Sequence, residues 1–183
     1  MLENAGANVF TPRERDTQLN EVIVDNDGNQ FSPNSLYVEE KSRKAKWSAT
    51  ETPGFAHIQE TYQDGENPFE DGTARYTKTE KKAGRAFAEW VPEIPEAGNY
   101  AVYVSYQTLP NSVSDAKYLV YHNGGVTEFK VNQQMGGGTW VYLGTFGFDK
   151  GRSHLGMVVL SNESKEKGIV CADAVRFGGG MGN

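Results

Sequence analysis

Over residues 35–178 apolar and polar positions alternate in short runs, broken by glycine, asparagine and charged turns. Alternation with a period of two is the mark of a half-buried strand. YVEEK (37–41) and FAHIQE (55–60) are short candidates. In GRAFAEWVPEI (84–94), Phe87, Glu89 and Val91 share one face, and Ala86, Ala88 and Trp90 the other. In NYAVYVSYQ (99–107), Tyr100, Val102, Val104 and Tyr106 alternate with Ala101, Tyr103 and Ser105. KYLVYHNGGVTEFKVNQ (117–133) predicts a hairpin with Asn123–Gly124 at its tip, because Asn-Gly tolerates the backbone of a tight turn. TWVYLGTFGF (139–148) predicts a strand with Trp140, Tyr142, Phe146 and Phe148 on one face. HLGMVVLSN (154–162) and IVCADAVRF (169–177) complete a set of about eight to ten strands, with no amphipathic helix of useful length between them. The pattern predicts an all-β sandwich or barrel.

The ends differ from this middle. LENAGANVFTPRERD reads either as a helix end stopped at Gly6 and followed by a short strand, or as an ordinary tail. DNDGNQFSPN (25–34) is turn-forming throughout and marks a boundary, which divides the chain into an N-terminal segment (1–34), a sandwich (35–178) and a tail (179–183). The stretch 61–83, TYQDGENPFEDGTARYTKTEKKA, predicts one long irregular loop of the kind that usually serves a site or stays disordered.

Composition narrows the function. The 183 residues suffice for one domain with a proper core. Hydrophobic residues make up 37% and aromatics 11%, which suits a thin, ring-rich core between solvated faces. Acidic side chains outnumber basic ones 24 to 18, for a net charge of −6, and no Lys/Arg stripe appears, so no nucleic-acid partner is expected. No apolar run reaches the ~18 residues that a membrane helix needs, and no signal peptide is visible. The single cysteine, Cys171, lies in an apolar run and predicts a buried, inert thiol.

Catalytic patterns are sparse. There is no Gly-x-Ser-x-Gly, His-Glu-x-x-His or Cys-x-x-Cys. His57, His122 and His154 fall in separate strands or strand ends, as ordinary sheet residues would. Gly136, Gly137 and Gly138 precede a strand rather than a helix, which predicts a tight turn and not a phosphate cradle. Asp64, Glu66, Glu70 and Asp71 offer the oxygens calcium takes, but their spacing does not match a helix-loop-helix calcium site, and a solvated acidic loop is the plainer reading. No cofactor is expected beyond that calcium option.

Aromatics remain as a binding signal, since a ring offers a flat face to sugar C–H groups while polar neighbours bind hydroxyls. Trp47, Tyr62, Phe69, Tyr76 and Tyr106 fall in or beside predicted loops, with Asn111 and Asp115 close by in sequence to Tyr106. Trp47, Tyr62, Tyr76, Tyr106, Asn111 and Asp115 are therefore the ligand-binding candidates, although such rings plug sandwich ends equally well. Trp90 and Trp140, inside predicted strands, read as core.

AEWVPEIPEAGNYAVYVSYQTLPNSVSDAKYLVYHNGG, followed by GGTWVYLGTFGF and IVCADAVRF, resembles the golvesin/xanthan-lyase carbohydrate-binding-like domain over about residues 84–178. The resemblance lies in the order of a Trp-x-Pro strand, a Gly-x-Tyr strand, a hairpin ending in Gly-Gly, a Gly-Thr-Trp strand and a closing Ala-Asp-Ala-Val-Arg-Phe. It implies a jelly-roll β-sandwich of the galactose-binding-domain type. Such domains are non-catalytic accessories of secreted bacterial enzymes acting on polysaccharide or cell wall. The head of the chain resembles part of the zinc-dependent N-acetylmuramoyl-L-alanine amidase fold through Ala-Gly-Ala and a Thr-x-Arg-x-x-Asp-like run. Here Pro12 intervenes before Arg13, Asp16 holds the last place, and the family's zinc-binding His and Glu have no counterpart.

The resemblance implies a chain that is not itself an enzyme, attached to a parent that is. Its partners would be a polysaccharide or peptidoglycan glycan and the parent's catalytic domain. Its place would be extracellular, periplasmic or on the cell surface. The alternative is a structural module without a glycan ligand, which packs on or orients the catalytic domain. A broad apolar patch on one sheet face would favour it.

Overall fold

A computed structural model describes residues 20–28, 32–57, 71–82 and 86–178. The amidase-like head, Tyr62, Phe69, and the acidic residues Asp64, Glu66 and Glu70 lie outside them, as does the side chain of Asp71.

The described residues form twelve strands and no helix. In chain order they are β1 (Glu21–Asp25), β2 (Leu36–Glu40), β3 (Ser48–His57), β4 (Asp71–Lys78), β5 (Phe87–Val91), β6 (Gly98–Val104), β7 (Ala116–His122), β8 (Gly125–Val131), β9 (Val141–Phe148), β10 (Met157–Ser161), β11 (Ile169–Ala172) and β12 (Ala174–Gly178). They pair antiparallel into three sheets: β1-β12-β6-β9, β2-β5-β10-β7-β8, and a smaller β11-β4-β3. The four- and five-stranded sheets face each other as a jelly-roll β-sandwich.

Alternation builds the core between them. Tyr100, Val102 and Val104 of β6 and Val175 and Phe177 of β12 meet Trp90, Tyr118, Val120, Val158 and Leu160 from the five-stranded sheet. Each of these side chains is buried, and taking their apolar surface out of water holds the two sheets together. β10 is central in its sheet and buried on both faces. Met157 and Val159 join Val91 in a second, smaller cluster on the outer side.

Four expectations change. β1 lies inside the segment assigned to an N-terminal appendage, yet all five of its residues pair with β12, and Val22 and Val24 are in the core. The sandwich therefore begins before residue 35. β4 occupies part of the predicted long loop; DGTARYTK is mostly polar, and its strand is imposed by neighbours β3 and β11 on either side. The run 169–177 is two strands: β11 ends at Ala172, β12 starts at Ala174, and the chain changes sheet at Asp173. The Asp173 carboxylate accepts the Phe55 N–H (2.6 Å) and its carbonyl accepts the Trp90 indole N–H (3.0 Å), which fixes that crossing.

The fourth change is a bulge in β9. Val102 pairs with Gly144 and Tyr103 with Tyr142, so Leu143 is the extra residue. The bulge inverts the alternation. Phe146 and Phe148 point inward with Leu143, while Tyr142 points out and is 46% exposed.

Candidate functional site

Trp47, expected at a loop, is buried in the core and donates its indole N–H to the Glu40 carbonyl (3.1 Å). Tyr106 is buried as well. Its hydroxyl donates to the Met135 carbonyl (2.7 Å), and burial raises its phenol above the usual range. That bond ties down the turn before β9, where Gly136 and Gly138 take positive φ (76° and 71°) and a side chain on Gly137 would collide with the Thr108 backbone. Removing only the hydroxyl, Tyr106→Phe, is expected to cost about 1 kcal/mol in urea denaturation. It should also speed amide exchange across residues 135–138.

The other candidates are not brought together. Tyr76 is half-buried in β4, opposite Cys171 and Ser48. Asn111 is exposed and uses its carbonyl to accept the Ile169 N–H (2.9 Å). Asp115 accepts the Ser164 hydroxyl and the Lys165 N–H (3.1 Å) in a small pocket of mixed charge with Lys81, Lys117, Lys130, Glu128 and Glu163. Trp140, expected in the core, is half-buried just before β9 and meets Phe55 edge to face at 5.4 Å. Cys171 is buried as expected, and burial pushes its thiol up to about 12. His122 is held by the Thr127 hydroxyl (2.9 Å) and by the Gly124 N–H donating to its Nδ1 (3.0 Å). In the Asn123–Gly124 hairpin the positive φ falls on Gly125 (116°).

A cleft that these candidates do not include lies where all three sheets meet. The turn after β1 brings Asn26 and Asp27, the edge strand β2 brings Tyr37 and Glu39, and β4 brings Thr73 and Arg75. These six residues line an open cavity of about 400 Å³. Thr73 organises one side. Its backbone N–H and hydroxyl donate to Asp27 (2.5 and 2.8 Å), and Asn26 Nδ2 donates to the same hydroxyl (3.2 Å). On the other side Arg75 grips Glu39 through Nε and Nη2 (2.6 and 2.9 Å), a two-point pair that holds the guanidinium flat.

That bond to Glu39 raises Arg75 above its ordinary pKa. The Tyr37 hydroxyl donates to Glu39 (2.9 Å) and its ring leans on Trp90 at 5.6 Å. Burial, then the Glu39 charge, pushes the Tyr37 phenol far up, so it stays protonated. Arg75 has five N–H donors. Two are used on Glu39, which leaves others for a ligand. The cleft thus combines a ring, a flat cation and carboxylate acceptors without a nucleophile–base pair. The one signal for it in the sequence was Asp25-Asn26-Asp27, three consecutive oxygen-bearing side chains at the end of an apolar run.

The family described as Golvesin C-terminal domain matches residues 22–179. A xanthan lyase from Bacillus sp. (strain GL1) is 34% identical over 96 residues, which are 51% of this chain and 10% of that enzyme. The chain therefore spans about a tenth of that relative's length. Among solved structures, a Paenibacillus xanthan lyase superposes with a TM-score of 0.51 at 24% identity, covering 79% of this chain and 13% of that one. A family 35 carbohydrate binding module from Clostridium thermocellum aligns over 86% of this chain and 97% of its own, with a TM-score of 0.43 and 15% identity.

Proposed function

The chain belongs to the Golvesin C-terminal domain family, and on that premise we propose that it is a non-catalytic carbohydrate-binding accessory module of a secreted bacterial polysaccharide-degrading enzyme. The observation that carries this reading is the three-sheet cleft, in which Arg75 is held flat by Glu39 beside the Tyr37 ring. A pyranose laid there meets a ring for its C–H face, N–H donors for its oxygens, and the Asp27 and Glu39 oxygens for its hydroxyls. The likeness to xanthan lyases supports xanthan or a similar polysaccharide as the ligand class and an enzyme as the parent. A peptidoglycan glycan and an amidase parent rest on the head of the chain alone.

Binding is weak, because a shallow site recovers little beyond the desolvation of its polar groups. In calorimetric titration with xanthan-derived oligosaccharides and, separately, peptidoglycan fragments, one of the two gives heat with the wild-type chain. Arg75→Ala weakens that binding at least about tenfold. Its effect on folding stays at about 1 kcal/mol, since the pair keeps 27% and 21% of its two side chains in solvent, which screens it. No heat with either glycan would remove the reading.

A second reading has one specific observation behind it. Leu36 pairs with Val91, and Met157 pairs with Tyr121, which pairs with Val126. With Val91 and Met157 in one cluster, these five residues form an apolar row across the outer face of the five-stranded sheet. Leu36 and Val126 are 39% and 52% exposed. Such a row suits packing against a catalytic domain. On this reading Val126→Glu would raise the protease sensitivity of the whole parent protein and leave glycan titration unchanged.

A further inference from the structure

The three-sheet cleft offers more hydrogen-bond acceptors than donors, and more negative charge than positive. Among the described residues that line it, two carboxylates, Asp27 and Glu39, share one cation, Arg75. Arg75 is committed to Glu39 through Nε and Nη2. Among the described residues Asp27 has no cation at ion-pair distance, and Arg75 acts on it only from farther away.

The Asp27 carboxylate is exposed, and Thr73 fixes its orientation. Oδ2 accepts the Thr73 N–H (2.5 Å) and Oδ1 accepts the Thr73 hydroxyl (2.8 Å). A carboxylate oxygen accepts about two hydrogen bonds, so each of these has room for one more. Asn26 adds another acceptor: its Oδ1 is buried with no hydrogen-bond partner, while its Nδ2 is spent on the Thr73 hydroxyl. On the donor side only the remaining Arg75 N–H groups are left, because the Tyr37 hydroxyl donates to Glu39.

This inventory distinguishes between sugars. A hydroxyl both donates and accepts, so two neighbouring hydroxyls donate to the two Asp27 oxygens while another accepts from Arg75. A sugar carboxylate only accepts. Arg75 alone answers it, on a guanidinium already neutralised by Glu39, and the Asp27 charge repels it in a cleft less screened than open water.

We propose that the cleft selects an uncharged sugar unit, held through two neighbouring hydroxyls on the Asp27 carboxylate, and rejects the uronate form of the same sugar. Asp27 is then the residue that sets specificity, and Arg75 the one that supplies donors. The inference rests on the glycan reading of the cleft and adds the class of sugar unit to it. On a chain of mixed units the cleft would engage the uncharged ones.

The isotope-labelled full chain, at pH 7 and low salt, is titrated with the methyl glycosides of glucose, mannose and galactose. The methyl glycosides of the three corresponding uronic acids are titrated in parallel. At least one neutral glycoside should give saturable chemical-shift changes at Thr73 and Arg75. Its uronate counterpart should bind at least about tenfold more weakly. Salt at about 0.5 M should shrink that ratio, because ions screen repulsion between exposed charges. Asp27→Asn, which keeps the shape without the charge, should bring the ratio below about threefold; the salt series decides the matter if this variant does not fold. A uronate that binds at the cleft as tightly as its neutral partner would overturn the proposal and leave the glycan reading standing. So would a ratio that salt leaves unchanged, or a cleft that responds to a xanthan-derived oligosaccharide and to none of the six glycosides. A cleft unmoved by the oligosaccharide as well would remove both.

Discussion

Gln133→Leu is expected to destabilise the chain by about 4 kcal/mol, although it replaces one buried side chain by another of similar size. Gln133 is fully buried and its amide is spent on three bonds. Nε2 donates to the Tyr118 hydroxyl (3.0 Å) and to the Cys171 carbonyl (2.8 Å), and Oε1 accepts the Cys171 N–H (2.8 Å). It therefore stitches the end of β8 to β7 in one sheet and to β11 in another. Leucine leaves a peptide N–H, a peptide C=O and a phenol buried without partners. Each such group costs roughly 1–3 kcal/mol. Equilibrium urea denaturation checks the loss. Tyr118→Phe should cost less in the Gln133→Leu background than in the wild type, because the hydroxyl is already orphaned there. Additive losses would show that the network carries no coupling.

Trp90→Ala is expected to cost about 4 kcal/mol through cavity formation alone. Among the described residues Trp90 is the largest of the fully buried side chains, and it is the next-to-last residue of β5. Tyr37 leans on one side of it at 5.6 Å and Tyr118 stacks at 6.4 Å. Its indole N–H also holds the Asp173 carbonyl at the crossing from β11 to β12. Trp90→Phe refills much of the volume and gives up the donor, so its cost should be about half as large. A midpoint for Trp90→Ala within about 1 kcal/mol of wild type would mean that the sandwich is not closed around this ring. Loss of about 4 kcal/mol is a large share of the 5–15 kcal/mol that domains possess.

The strands that could be read from the sequence are those whose burial is written in their own alternation. β6, β10 and β5 are apolar along their inward faces, and so is the β7–β8 hairpin until its tip, where His122 and Thr127 bond each other. β4 was illegible because only Ala74 and Tyr76 mark it, and β3 and β11, distant in sequence, supply its hydrogen bonds. The crossing at Asp173 was hidden by apolar residues on both sides of it. The signal was the charge itself, in a place where a carboxylate needs partners. Simple alternation puts Tyr142 on the inward face, and the one-residue bulge at Leu143 that turns it outward leaves no mark in composition.

Trp47 and Trp140 exchange their expected roles for the same kind of reason. Whether a ring near a strand end is covered depends on which loop folds over it. The cleft residues escaped because Tyr37, Thr73 and Arg75 look like ordinary strand positions until the sheets converge. The hydrogen bonds from Thr73 to Asp27 and from Arg75 to Glu39 span 46 and 36 residues.

Chemical-shift mapping on the isotope-labelled chain, with a xanthan-derived oligosaccharide added stepwise, tests most directly whether the meeting of the three sheets is where this module touches glycan. Saturable shifts are expected at the amides of Asp27, Tyr37, Glu39, Thr73 and Arg75, with the Leu36–Val126 face silent apart from neighbours of Tyr37. Shifts confined to that apolar face, or a spectrum unmoved at saturating sugar, would contradict it.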